Sequence, residues 1–278
     1  MKKFALVLGG GAAKGYAHIG VLKVLEKHNL RPDLIVGTSI GALVGGMYAS
    51  GKTVEEMKTM AEHFNSLGSF SLISTLFKGN LINTNKVKKI VEQSFNEMRH
   101  EDCPTKFIAI ATELNTGKEK HFSSGLLKQS VMASISIPGV FPSLKIGNNL
   151  YCDGGLLNNL AEDVAREALP DAGIVSVDVL GEYPEIYEKT KFKTLDTFIN
   201  SNTLMLTNAI KNKPTFADVR ITITQPNVHQ LDFDGKKVHR TIIHGVSAAN
   251  KHIERIKELL GVTNEKSNKT NSKRRKTN

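Results

Sequence analysis

Leu34-Ile35-Val36-Gly37-Thr38-Ser39-Ile40-Gly41-Ala42-Leu43-Val44-Gly45-Gly46-Met47-Tyr48-Ala49 is the stretch on which the reading of this chain turns. The apolar triplet Leu34–Val36 reads as a buried strand, and the residues from Ala42 to about Ser50 read as a helix. Between them stands Gly-x-Ser-x-Gly, and strand, Gly-x-Ser-x-Gly, helix is the pattern of a nucleophile elbow. Gly37 and Gly41 permit a turn sharp enough to leave the Ser39 hydroxyl exposed at the head of a helix. Unpaired N–H groups there favour developing negative charge. Five residues of this kind also serve as an ordinary structural turn, so the surroundings carry the weight.

Working outward, Lys3–Leu8 reads as a first strand and Gly9-Gly10-Gly11-Ala12-Ala13-Lys14-Gly15 as a glycine-rich turn. Tyr16–His28 reads as a helix whose apolar face is Ala17, Val21, Val24 and Leu25. The glycine turn fits a dinucleotide loop poorly, because Lys14 stands where a third glycine belongs. It is not a phosphate-binding P-loop either, since no Gly-Lys-Ser/Thr follows at the required spacing. Two readings remain: a tight turn without a ligand, or a row of N–H groups that stabilise an oxyanion.

Further along, Thr53-x-x-Glu56 forms a capping box for a helix to about Phe64. Residues 65–82 mix Ser, Gly and bulky apolar residues without a period, and read either as a mobile segment that covers or borders a site or as a loop packed on its own core. A helix from Thr84 or Asn85 to Met98, a strand Phe107–Glu113 and a short strand His121–Ser124 follow. Ser130–Ser136 reads as a helix that Ile137-Pro138-Gly139 ends. Leu144–Ile146 and Leu150–Cys152, joined by Gly-Asn-Asn, read as a hairpin delivering Asp153-Gly154-Gly155. Leu160–Ala168, Leu195–Lys211 and Ile242–Leu260 read as helices, Gly173–Leu180 and Val219–Thr224 as strands. Strands alternating with helices predict an α/β fold with a mostly parallel sheet covered on both faces.

A serine nucleophile needs a base. His229, His239, His244 and His252 come late in the chain, in the order of a Ser-His-Asp hydrolase, but none sits in a loop with other chemistry-bearing residues. His18 reads as a packed helix residue. Asp153, at a strand end before two glycines, is the better candidate, although a turn aspartate would look the same.

Bulk properties narrow the field. The chain has 278 residues, is 40% hydrophobic and only 6% aromatic, and lacks Trp, so stacking surfaces for nucleic acid are scarce. Cys103 and Cys152 provide neither a disulfide framework nor metal-ligand spacing, as expected in a reducing, cytoplasmic compartment. Phe4–Leu8 is shorter than the about 7–15 residues of a secretory apolar region, and no run approaches the ~20 apolar residues of a membrane span. The net charge is +10, and residues 264–278 hold six basic residues and one acidic one. We expect a folded domain over 1–262 and a disordered basic tail over 263–278. The tail either keeps the chain soluble or contacts an anionic membrane surface.

The three motifs together resemble the patatin-like phospholipases: a glycine loop with a basic residue (Gly9–Gly15), Gly-x-Ser-x-Gly after the next strand (Gly37–Gly41), and Asp-Gly-Gly (Asp153–Gly155). The resemblance extends over Tyr16–Leu22 and Ala133–Pro142, covers about the first 165 residues, and suggests a compact bacterial-type member. It implies a three-layer α/β/α sandwich with a central, mostly parallel sheet. It also implies a Ser39–Asp153 dyad without a histidine, cofactor or metal, acting on phospholipid, lysophospholipid or acylglycerol. The amides of Gly10, Gly11 and Ala12 would form the oxyanion hole; the family usually has glycine at the position of Ala12. Lys14 takes the family's basic position and would support the loop, with Gly9, Gly15, Gly37, Gly41, Gly154 and Gly155 shaping the motifs. Three other readings remain at this stage: a catalytically weak lipid- or partner-binding protein on the same fold, a nucleotide-binding protein using Gly9–Gly15, and a Ser-His-Asp esterase.

Overall fold

The computed structural model describes residues 1–66, 84–181, 193–225 and 235–262. The 65–82 segment therefore falls almost wholly outside the described residues, and the 263–278 tail and His229 entirely so. Among the described residues, eight strands form one sheet: β1 (Phe4–Leu8), β2 (Leu34–Thr38), β3 (Lys106–Glu113), β4 (Lys118–Phe122), β5 (Leu144–Ile146), β6 (Asn149–Asp153), β7 (Gly173–Asp178) and β8 (Val219–Thr222). β3, β2, β1, β7 and β8 lie side by side and parallel, while β4, β5 and β6 pair antiparallel. The described helices are α1 (Ala17–Lys27), α2 (Ile40–Ala49), α3 (Val54–Ser66), α4 (Thr84–Phe95), α5 (Leu127–Ser134), α6 (Glu162–Ala168), α7 (Lys193–Asn212) and α8 (Gly235–Leu259).

The apolar side chains of β1 sort the layers. Phe4, Leu6 and Leu8 join a core with α1 to α5 and α8, whereas Ala5 and Val7 join a second core with α6 and α7. All five residues are buried, which is why the strand is a continuous apolar run rather than an alternating one. The result is the expected three-layer sandwich.

Several boundaries differ from expectation. The predicted helix from Tyr16 begins as a 3-10 turn over Ala12–Tyr16. β4 lies at Lys118–Phe122, not His121–Ser124, because pairing with β3 recruits a polar stretch. α8 starts at Gly235, seven residues before the expected Ile242, and Val238 extends its buried face. The Thr53/Glu56 capping box is present: Glu56 Oε2 accepts from the Thr53 amide at 2.8 Å, and the Glu56 amide donates to Thr53 Oγ1 at 3.2 Å.

The register around β3 positions everything that follows. Ala109 pairs with Gly37 and Phe122, Ile110 with Thr38 and His121, and Ala111 with Lys120 and Asp153. β4 therefore occupies one edge of β3 from Ala109 to Glu113. β2 and β6 share the other edge, arriving from opposite directions. β2 leaves after Thr38, and β6 ends at Asp153 one residue further along.

On the far side of the sheet, buried Glu162 ties β7, β8 and the strand-entry loop together. It accepts from Ser176 Oγ (2.7 Å), Arg220 Nε and Nη2 (2.8 Å each), and the Phe216 and Ala217 amides (2.9 and 3.2 Å). Burial pushes its carboxyl up, but the bonds from Arg220, Ser176 and Phe216 outweigh that and hold it below the ordinary value. Removing one partner of such a pair leaves the other charge uncompensated, at a cost of about 3–5 kcal/mol. Glu162→Ala is therefore expected to lower Tm by roughly 10 °C in thermal denaturation.

Candidate active site

Ser39 sits between β2 and α2 with φ 55° and ψ −125°, a conformation L-residues rarely adopt. Such strain costs on the order of 1–3 kcal/mol and persists only where its surroundings enforce it. The flanking glycines answer close approach rather than φ: a Cβ on Gly41 would lie 2.1 Å from the Leu8 carbonyl oxygen. α2 thus starts directly against the end of β1, and the serine takes the strain.

Two hydroxyls on neighbouring elements hold the elbow. The Ser39 amide donates to Ser134 Oγ at 2.9 Å, and that hydroxyl donates to the Ile110 carbonyl at 2.6 Å. Thr38 Oγ1 donates to the Asn158 carbonyl at 3.0 Å.

Because β2 and β6 meet on one edge of β3, Ser39 and Asp153 face each other. Ser39 Oγ donates to Asp153 Oδ2 at 2.5 Å, the length of a charge-assisted O–H···O⁻ bond. The other carboxylate oxygen accepts from the Gly155 amide at 2.8 Å. The backbone of Asp153 is fixed as well, its amide donating to the Ser136 carbonyl and its carbonyl accepting from Thr112 Oγ1. Gly154 lies so close to β3 that a Cβ there would be 2.3 Å from the Ile110 carbonyl oxygen. Ser39 and Asp153 are each 6% exposed. Burial raises the Asp153 carboxyl to about 6, against the opposing pull of its bonds from Ser39 and Gly155. His239, His244 and His252 lie on α8, and the hydroxyl of Ser39 is bonded to a carboxylate, not an imidazole.

The glycine loop lies against the elbow: a Cβ on Gly10 would approach Ser39 Cβ to 3.2 Å. The three expected amides differ in their engagement. The Gly10 N–H is already engaged, donating to the Asn159 carbonyl at 3.2 Å, because Asn159 also holds the Gly10 carbonyl through Nδ2 at 3.3 Å. Among the described residues, the Gly11 and Ala12 amides have no acceptor. Ala12 has φ 47°, which explains why glycine would be at home there.

His18 is fully buried, and its Nε2 bonds the Gly9 carbonyl at 2.8 Å. Burial takes its pKa down to about 4, so the ring is neutral and Nε2 carries the proton. Lys14 is 2% exposed; burial lowers its pKa, while the Asp178 carboxylate opposes that. It lies inside the fold supporting the loop, with its carbonyl held by Gln225 Nε2 at 3.1 Å.

The sequence reading missed His18's hold on the loop, Ser134, and the pair Asn158-Asn159. The asparagines touch all three motifs: Asn158 meets Thr38, and Asn159 wedges its side chain beside Gly10 and Gly155. Their only sequence signal is two consecutive amides five residues after Asp153. Among the described residues, no group of three His, Cys, Asp or Glu could hold a metal ion. No described helix is long and apolar enough to cross a membrane.

Residues 6–166 match the family model for patatin-like phospholipase. The chain belongs to the patatin-like phospholipase family. It is 33% identical over 159 residues to the lysophospholipase nte1 of Emericella nidulans, covering 56% of this chain and 10% of that protein. An uncharacterized NTE family protein of Mycobacterium bovis is 33% identical over 159 residues, covering 57% of this chain and 44% of the relative. Patatin-like phospholipase domain-containing protein 6 of Mus musculus is 32% identical over 187 residues, covering 63% and 13%. The chain thus spans less than half the length of each of these relatives. The crystal structure of VipD from Legionella pneumophila superposes with a TM-score of 0.53 at 14% identity, covering 91% of this chain and 67% of that one, a likeness of fold.

A buried carboxyl raised from 3.8 to about 6 destabilises the fold once ionised. The folded state binds the proton more tightly than the unfolded one. Stability is therefore fully present below pH 4 and falls as pH rises to 6, by about 3 kcal/mol. Asp153→Asn, which stays neutral, is expected to raise Tm by a few degrees at pH 7. That gain should vanish at pH 4, as read by calorimetry at both values.

Proposed function

We propose that residues 1–262 form a serine acyl-ester hydrolase acting on lipid, with Ser39 as nucleophile and Asp153 as general base. The observation that carries this reading is the 2.5 Å bond from Ser39 Oγ to Asp153 Oδ2 at the head of α2. Ser39 Oγ attacks the acyl carbonyl carbon while its proton passes to Asp153. The oxyanion is held by the Gly11 and Ala12 amides, the loop donors without an acceptor among the described residues. Collapse of the tetrahedral intermediate expels the alcohol, which takes the proton from Asp153. Asp153 then deprotonates a water that attacks the acyl-enzyme, and the proton returns to Ser39 as the acid leaves.

A carboxyl near 6 supports the role of Asp153, since a base works best with a pKa close to the operating pH. Relatives named as lysophospholipases make lysophospholipid the first substrate to test. The net charge of +10 favours an anionic lipid surface as the place of encounter.

A fluorophosphonate probe is expected to label the wild type, to fail with Ser39→Ala, and to react at least a hundredfold more slowly with Asp153→Asn. Hydrolysis of a short p-nitrophenyl ester should follow the same pattern, with kcat/KM rising through an apparent pKa near 6. Labelling that survives Ser39→Ala would overturn the assignment.

A further inference from the structure

We propose that Asn159 is a positioning residue for the oxyanion hole: its side-chain amide holds the Gly10 carbonyl and thereby aims the Gly11 N–H at the substrate oxygen. This deepens the hydrolase reading and rests on it.

A peptide unit is planar and trans, so its carbonyl and its N–H point in opposite directions. A donor that fixes the carbonyl of one residue therefore aims the N–H of the next. In the glycine loop three consecutive carbonyls each meet a donor. Gly9 accepts from His18 Nε2 at 2.8 Å, Gly10 from Asn159 Nδ2 at 3.3 Å, and Gly11 from the Lys14 amide at 3.1 Å. The N–H groups of Gly10, Gly11 and Ala12 are turned the other way. The first meets the Asn159 carbonyl at 3.2 Å, and the other two have no acceptor among the described residues.

The middle peptide needs the restraint most. Glycine stands on both sides of it, so it can turn about ψ of Gly10 and φ of Gly11 with no Cβ to resist. His18 and Lys14 belong to the turn and helix that the loop itself leads into. Asn159 comes from the far end of the Asp153 turn, 149 positions from Gly10. It grips both polar groups of that glycine, the N–H through its backbone and the carbonyl through its side chain. The amide lies close against two turns: a Cβ on Gly10 would be 2.4 Å from Asn159 Oδ1, and one on Gly155 would be 2.9 Å from it.

Asn159 is seated by its neighbour. The Asn158 carbonyl accepts from Thr38 Oγ1, and Asn158 Nδ2 donates to Glu119 Oε2 and Asp163 Oδ1 at 3.0 Å each. Both asparagines are buried. The segment that follows Asp153 therefore also sets the direction of an oxyanion donor.

The test uses Asn159→Ala, which removes the side chain, and Asn159→Leu, which nearly keeps its volume but has no donor. In both, kcat and kcat/KM for p-nitrophenyl butyrate are expected to fall together by at least tenfold, short of the roughly 100- to 1,000-fold lost when an oxyanion donor is removed outright. The deciding readout is the preference for that ester over its thiono analogue, in which C=S replaces C=O. Sulfur accepts hydrogen bonds weakly, so the preference reports how well the donors are aimed, and it should drop several-fold in both variants. A side chain that only packs would leave the preference unchanged and would let Asn159→Leu recover what Asn159→Ala loses. Either result, in a protein that still reacts with fluorophosphonate at Ser39, would overturn the role of Asn159 alone. Should Asn159→Ala fail to fold, Asn159→Leu decides by the thiono preference. A wild type that neither reacts with the probe nor cleaves any ester would bring down the Ser39 reading, and this one with it.

Discussion

The edge of β3 is the constraint on which the site depends. One strand edge accepts two partners end to end: β2 parallel as far as Ile110, β6 antiparallel from Ala111. Residues from the two ends of that junction have nowhere to go but toward each other. Ser39 leaves one end and Asp153 closes the other, 114 positions apart in sequence and 2.5 Å apart in space. A shift by one residue in either register would turn a side chain to the other face of the sheet. The pairing of the sheet and the geometry of the Ser39–Asp153 pair are thus a single specification.

Such a junction leaves strained backbone, and polar side chains hold it in place. Ser39 and Ala12 both sit at positive φ, one at the elbow and one in the glycine loop. Each is flanked by buried groups whose hydrogen bonds reach across elements: Ser134 between Ser39 and Ile110, Asn159 on Gly10, His18 on Gly9. These groups tie the loop, the elbow and the Asp-Gly-Gly turn into one body. Strain of about 1–3 kcal/mol per residue survives because relaxing it would break buried bonds in a neighbouring element. Two large apolar cores, one on each face, provide the stability that makes this tolerable.

The sequence made legible what repeats or stands in a fixed local pattern. Phe4–Leu8 and Leu34–Val36 declare themselves as buried strands, and Gly37–Gly41 and Asp153–Gly155 as turns, because their constraints lie within a few residues. β4 was displaced in the reading because Lys118-Glu119-Lys120-His121-Phe122 has no apolar alternation; its partner on β3 makes it a strand. The start of α8 was hidden for a related reason. Lys236, Lys237, His239 and Arg240 look like a solvated loop, yet Val238 and Thr241 are each 1% exposed and continue the helix's inner face. Asn158, Asn159 and Ser134 meet Thr38, Gly10 and Ser39, each more than ninety residues away, a relation no local pattern encodes. The engagement of the Gly10 amide follows from one such partner, Asn159.

A lone buried carboxylate bonded to a serine hydroxyl raises the question of what its surroundings do to its basicity. In water an aspartate holds a proton only near pH 3.9. Here enclosure lifts it to about 6 while the Gly155 amide and the backbone pairing of β6 fix its plane, leaving Oδ2 for Ser39. The strength of the base and the cost to the fold are the same quantity, because both measure how poorly the site solvates a charge. Anything that admitted water would relieve the fold and weaken the base together. The close contact of Gly154 with the Ile110 carbonyl and the wedge of Asn159 between two loops therefore act as more than packing. They pack the turn in which Asp153 is buried, and it is that burial which raises its pKa.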